Sequence, residues 1–335
     1  MKGLSLGRHA LSGCVAVAML AGCGGSQMGA PGSVPAAALS APSKDGNSWM
    51  AAGAAKWDLL YVSNVNGTVT VYRYWQRNLV GTLTGFARPK GECVDADGDV
   101  YVTDRVAEDI VEYQHGATRP VVILSDTGFQ DYACAVDPTT GNLAVANSYR
   151  VDGNAGGIAI YKNARGKPDL LRIDGIPNPQ TCAYDTQGDM LVASDYKHDG
   201  EQVVSLGYMP KGRTTFIHLH LYVSGSQSDG VYNVQWDGKY WALLYDGNIV
   251  RFRITDDGRA TYEGATYLGG NEQHQSRFWI AKFPNNLGKQ GTQIVAAQTY
   301  NVLYWKYPVG GNSIGSVSKH VDNPYGVAVS LGPNR

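Results

Sequence analysis

From about residue 57 onward, one four-part segment returns with variations roughly every 40–50 residues, a period that belongs to arrays and propellers. Each unit reads as four short strands, A to D. Strand A is apolar and ends in a polar turn containing Gly. Strand B ends in Asp or Asn, strand C ends in an aromatic, and strand D follows a loop. A unit of this kind cannot bury its apolar faces alone, so its neighbours must stack on it to make a core.

The A strand and its turn are clearest in Gly91-Glu92-Cys93-Val94-Asp95-Ala96-Asp97-Gly98. They return around Cys134 to Gly141, Cys182 to Gly188 and Asn233 to Gly238. Asp followed by Gly suits such a turn, because Asp bonds nearby backbone and Gly takes positive φ. Six segments fill the B slot, ending at Asn64, Asp104, Asn147, Asp195, Asp246 and Gln298. Six C strands end in Tyr72, Tyr113, Tyr161, Tyr208, Phe252 and Tyr304. These aromatics are expected to pack between units.

The first unit begins at strand B and has no A strand before it. The missing piece stands at the other end, where Asn323 to Ser330 reads as an A strand with nothing after it. Placed beside Leu59 to Asn64, it completes the first unit from both termini and removes the open sheet edges that endanger any β array. The expected fold is therefore all-β, a six-bladed β-propeller of four-stranded blades over residues 57–335. Strings such as Gly-Asp-Val-Tyr-Val-Thr-Asp (98–104) and Pro-Tyr-Gly-Val-Ala-Val (324–329) resemble NHL-repeat propellers and the related gluconolactonase-like propellers. The resemblance spans about residues 57–331.

The N-terminus reads as a targeting segment. Lys2, Arg8 and His9 form a basic region, and Ala10 to Leu20 is apolar but too short to span a membrane. Leu20-Ala21-Gly22-Cys23 resembles the bacterial lipobox, which implies removal of residues 1–22 and diacylation of Cys23. Two acyl chains give the double anchor that a single chain cannot. The expectation is an exported protein anchored to a bacterial membrane. Residues 23–56 are rich in Gly, Ala, Ser and Pro and read as a flexible spacer. Trp49 and Met50 are its only bulky residues, placed to dock on the body. Formal net charge is −1, from 28 Lys and Arg against 29 Asp and Glu, with no long basic run, so nucleic acid is not expected as a partner.

In a propeller the A strands line the central channel, and the B ends meet the A starts at one rim. That rim, the top, gathers the B-end residues together with Arg88, Lys90, Asp131, Asn178, Gln180, Asp229, His274, Arg277 and Asn323. A concave polar mouth is the default binding site. The ligand set expected there is Asp104, Asn147, Asp195 and Asp246, with Glu92 below them. The competing role for the B-end residues is capping of loop amides. No cofactor is expected beyond Ca²⁺ or another divalent cation, for which Glu92, Asp104, Asn147 and Asp195 are the candidates.

The gluconolactonase-like resemblance implies a divalent ion in the channel that supports lactone hydrolysis. Glu92 is the one clear Glu on an A strand, and the first-blade Glu of those enzymes has no counterpart before Leu59. The leading reading is therefore a non-catalytic binding or interaction module acting through its top face on a protein, glycan or small molecule. A metal-dependent lactonase and a structural envelope protein are the alternatives. Cys93, Cys134 and Cys182 all stand on A strands. Strand parity turns Cys134 and Cys182 the same way and Cys93 the other, so Cys93–Cys134 is the one pairing allowed across a blade interface. Three buried free thiols are the alternative.

Overall fold

The computed structural model describes residues 46–126, 128–150, 155–198, 201–219, 231, 233–255, 258–269, 275–283 and 291–333. The leader, Cys23 and the spacer up to residue 45 lie outside the described residues.

The chain forms six antiparallel sheets of the four-stranded type arranged in a ring, a six-bladed β-propeller. The inner strands, in blade order, are Pro324–Ser330, Pro89–Val94, Phe129–Val136, Thr181–Tyr184, Asn233–Trp236 and Gln275–Ala281. The second strands are Leu59–Asn64, Val100–Asp104, Leu143–Arg150, Met190–His198, Trp241–Tyr245 and Gln293–Gln298.

The A-to-B turns form as the Asp–Gly pattern dictates. Asp95 Oδ1 accepts the amides of Asp97 at 3.0 Å and Asp99 at 2.8 Å. Asp185 Oδ1 does the same for Gln187 at 2.8 Å and Asp189 at 2.9 Å. Gly98 follows at φ 88° and Gly188 at φ 89°, a conformation that costs glycine no Cβ clash.

Strands buried on both faces need apolar residues on both, and each blade interface holds its own cluster. Between blades 1 and 6 the cluster includes Leu60, Val62, Tyr72, Val295 and Tyr304, and between blades 2 and 3 it includes Tyr101, Leu143, Val145 and Tyr161. The C-strand aromatics Tyr72, Tyr113, Tyr161, Phe252 and Tyr304 are fully buried in these seams. Their hydroxyls reach backbone across the gap where they can: Tyr72 Oη donates to the Lys319 carbonyl at 2.7 Å.

The ring closes through its first blade. Leu59–Asn64 pairs antiparallel with Pro324–Ser330, from Leu59 opposite Ser330 to Asn64 opposite Pro324. Asn64 Oδ1 accepts the Asp322 amide at 2.9 Å and fixes the entry of the closing strand. At the other end, Ser330 Oγ donates to the Gly98 carbonyl at 2.6 Å, and His115 Nδ1 lies 2.6 Å from the same hydroxyl.

Two short pairings extend the sheets. Trp49–Met50 pairs with the outer strand Leu79–Leu83, so residues 46–56 are built onto the first blade. Gly311–Asn312 joins the long outer strand Ala260–Gly269 in parallel, tying blade 6 to blade 5. The structure also joins Cys93 to Cys134 across blades 2 and 3, with Cα atoms 5.6 Å apart, and leaves Cys182 buried and free.

Deleting residues 322–335 reopens the ring and exposes Val327 and Val329 together with the seams they fill. It should cost at least about 4 kcal/mol in urea unfolding. An unchanged midpoint would show that the closing pair contributes nothing. The disulfide spans 41 residues, so the Cys93→Ala, Cys134→Ala double variant should lose about 2–4 kcal/mol. Thiol titration of the native non-reduced body should meanwhile find Cys182 unreactive, because burial pushes its thiol up to about 12. Prompt labelling of Cys182 would contradict its placement.

Candidate functional site

The inner strands wall a cavity of about 590 Å³ along the central channel. Glu92 and Arg277 stand in its wall midway along the inner strands. From there it extends past Tyr184, Trp236 and Trp279 to the turn residues Asp97 and Gly98. The disulfide forms part of the same wall. The cavity thus occupies the channel itself and reaches toward the rim of the A-to-B turns.

Glu92 is held where a carboxylate is expensive. It lies on Pro89–Val94 opposite Val102 and is 7% exposed. The Ser63 hydroxyl donates to its Oε1, while Oε2 is buried without a partner among the described residues. Burial pushes the carboxyl up to about 8, outweighing the Ser63 bond and the attraction of Arg277. Glu92 is therefore mostly a neutral carboxylic acid at pH 7. Gly326 on the closing strand makes room for it: a Cβ there would stand 2.0 Å from Glu92 Oε2 and 2.3 Å from the Lys90 carbonyl.

Above Glu92, toward the top rim, cations gather around one aromatic ring. Lys90 is buried, with Nζ 3.4 Å from the centre of the Tyr325 ring. Arg88 Nη2 donates to Tyr325 Oη at 2.9 Å, and its Cζ lies 5.6 Å from the same ring centre. Arg105 Nε donates to Gln130 Oε1 at 3.1 Å, and Arg277 Nη2 donates to the Gln180 carbonyl at 3.3 Å. Burial pushes the Lys90 ammonium down to about 7, with further repulsion from Arg277, Arg105 and Arg88.

The residues expected as the ligand set at the top rim stand as follows. The Asp104 carboxylate is buried and accepts the amides of Ala87 at 2.8 Å and Arg88 at 2.7 Å, so it caps the loop entering Pro89–Val94. Asn64 does the same work in blade 1. Asn147 and Asp195 are not strand ends. Leu143–Arg150 continues to pair past Asn147, and Met190–His198 forms a long hairpin with Glu201–Met209. Asn147 is buried, with both side-chain polar atoms unpartnered among the described residues. The Asp195 side chain lies outside the described residues. Asp246 sits in a turn at φ 49°, its carbonyl accepting from Asn248 Nδ2 at 2.9 Å. Of the expected set, Glu92 alone lines the cavity among the described residues. Among the described residues no three His, Cys, Asp or Glu side chains gather as metal ligands. The basic residues Arg88 and Lys90 were visible at an A start, but nothing in the sequence said that both reach the Tyr325 ring. Arg105 follows the B-end Asp104 and carried no signal at all.

No family model matches the sequence, and no curated protein matches it. Solved structures do match in fold. A chain of the nidogen/laminin complex superposes with a TM-score of 0.61 at 13% identity, covering 82% of this chain and 98% of that one. The β-propeller domain of Cps50 (Swd1) from Myceliophteria thermophila gives 0.54 at 10% identity, covering 83% and 88%. A protein of unknown function from Desulfotomaculum acetoxidans DSM 771 gives 0.52 at 11%, covering 82% and 99%. At such identities the likeness shows the propeller fold alone.

Glu92 makes stability depend on pH in a defined direction. Its folded value near 8 exceeds the unfolded value near 4.5, so the native state holds the proton longer. Its favourable contribution is complete below pH 4.5 and is lost as pH rises through about 8. Lys90 acts the opposite way, adding stability only as pH rises from about 7 toward 10.5. The window from pH 5 to 7 therefore isolates Glu92. Across it, Glu92→Gln should gain about 1–3 kcal/mol relative to the native protein. Parallel melting curves for the two proteins over that window would refute the buried-acid account.

Proposed function

We propose that this chain is an exported, lipid-anchored binding module that takes its ligand in the central channel without catalysing a reaction. The propeller fold is consistent with a binding or interaction module, and the fold alone assigns no function. The observation that carries the reading is the channel cavity of about 590 Å³. It combines a buried carboxyl oxygen without a partner among the described residues with aromatic walls, the mix of apolar surface and few polar groups that small-ligand sites share.

The Trp236 ring stacks edge-on against Trp241, with centroids 5.2 Å apart, and its buried Nε1 has no acceptor among the described residues. A ligand with an apolar body and at least one acceptor satisfies such a wall. The top loops, built on capped Asp104 and Asn64, then serve as frame. The membrane reading rests on the Leu-Ala-Gly-Cys segment, where the acylated Cys23 and the spacer hold the body near the bilayer.

Both parts are tested together. Cys23→Ser should move the protein from the membrane fraction to the soluble fraction, and an unchanged distribution would remove the anchor. A thermal-shift screen of sugars, aromatic acids and short peptides should find at least one compound that raises Tm saturably. Trp236→Ala should fold and lose that shift. A screen without hits, or hits that Trp236→Ala leaves intact, would move the site out of the channel.

A further inference from the structure

The outer strand of blade 5 carries a short tandem repeat. Ala260–Gly269 reads Ala-Thr-Tyr-Glu-Gly and then Ala-Thr-Tyr-Leu-Gly. Its tyrosines, Tyr262 and Tyr267, stand five residues apart, an odd spacing that would put them on opposite faces of a regular strand. A bulge corrects this. Tyr262 pairs with Phe252 and Tyr267 with Asn248, and the register shifts between Arg251 and Phe252. The partners are an even number of residues apart, so both rings stand on one face of the sheet, with backbone positions about 14 Å apart. Ala265, opposite Val250, lies on that face between them. All three residues are exposed, Tyr262 by 54% and Tyr267 by 68%. The other face of the strand is spent on the fold: Thr266 is buried and donates to the Pro308 carbonyl at 2.8 Å, and Leu268 packs between blades 5 and 6. On the tyrosine side the neighbour is blade 4, whose outer strand Ile217–Leu219 has three residues against ten.

We propose that this face is a glycan-binding platform, on which Tyr262 and Tyr267 stack against two sugar rings of one linear chain of β-1,4-linked, gluco-configured units. The site lies on an outer strand and is independent of the channel.

Three features fit such a chain. A tyrosine offers a large, rigid apolar ring with a polar tip. Gluco-configured sugars have the matching shape, with C–H bonds on both ring faces and hydroxyls around the edge. The strand carries one charged residue, Glu263, which Arg253 engages at 2.8 Å, so a neutral ligand suits it. The same aromatic element occurs twice at a fixed spacing, and a ligand with a repeating unit can use both. Contact at one ring then raises the effective concentration at the other. A stable protein interface needs a larger apolar core than two separated rings and an alanine supply.

The spacing supplies the signature. Calorimetric titration of the mature chain, in a detergent without a sugar headgroup, tests it with cello-oligosaccharides and chito-oligosaccharides from the monosaccharide to the hexamer. In at least one series affinity should rise steeply once the chain is long enough to touch both rings, so that the hexamer binds saturably and the dimer does not. Tyr262→Ala and Tyr267→Ala should each weaken hexamer binding about tenfold and flatten the dependence on length. Tyr262→Phe and Tyr267→Phe keep the rings and should keep most of the affinity. Both positions are exposed, so all four variants should melt close to the native protein.

No binding at any length in either series would overturn the proposal. So would binding that survives the loss of both rings. If Trp236→Ala abolishes that binding instead, the sugar belongs to the channel, and the channel reading stands alone. Equal affinity for dimer and hexamer would overturn the two-ring geometry. A native dimer in sedimentation that Tyr262→Ala dissociates would give the face to a second copy of the chain and overturn the glycan as its occupant. Length-dependent binding that needs both tyrosines and ignores Trp236→Ala would establish the platform whether or not the channel takes a ligand.

Discussion

The pairing of Leu59–Asn64 with Pro324–Ser330 is the contact on which the rest of the ring depends. A propeller blade has apolar residues on both faces, so each blade is stable only between two others. An open array would leave one such face on each terminal blade and two inner seams half filled. The register that sets Leu59 against Ser330 and Asn64 against Pro324 closes the last seam and leaves each blade flanked on both sides. The disulfide between blades 2 and 3 adds a covalent tie at another seam, but it only supports a ring that the closing strand has already completed.

The fold was legible because its signals are local and repeated. Asp–Gly turns, B strands and C-strand aromatics each report on a few residues, and six weak copies add up. The overhang of one A strand at the C-terminus then fixed the closure. The disulfide partner was legible for a similar reason, since strand parity alone separates Cys93 from Cys182. Less legible were Trp49–Met50 and Gly311–Asn312, whose two-residue pairings rest on contacts far away in sequence and carry no periodicity.

The candidate site was harder to read, and the difficulty has a physical cause. The sequence shows which residues reach the top rim but not how each spends its hydrogen bonds. Asp104 looked like a ligand group because it is charged and recurs in place. Its oxygens are instead occupied by the Ala87 and Arg88 amides, which a loop entering a buried strand must satisfy. Asn147 and Asp195 looked like strand ends only because the hairpins beyond them continue in polar residues. Glu92, which lines the cavity, is also the expected residue whose position in the middle of an inner strand could not be explained by capping. At the top rim the Asp104 carboxylate faces backbone amides, while Arg88 and Lys90 face Tyr325.

Closure and site share the same residues. Tyr325, whose ring carries Lys90 and Arg88, belongs to the closing strand, and Gly326 beside it leaves the space that Glu92 fills. Ser63, which bonds Glu92, is the register partner of Gly326 across the closing pair. The seam between the two ends of the chain therefore holds a buried acid and a buried lysine. Well-packed apolar residues there would avoid the desolvation of charge that Lys90 and Glu92 incur. Any ligand that binds only the closed ring would stabilise closure by linkage, because it has no affinity for the opened chain.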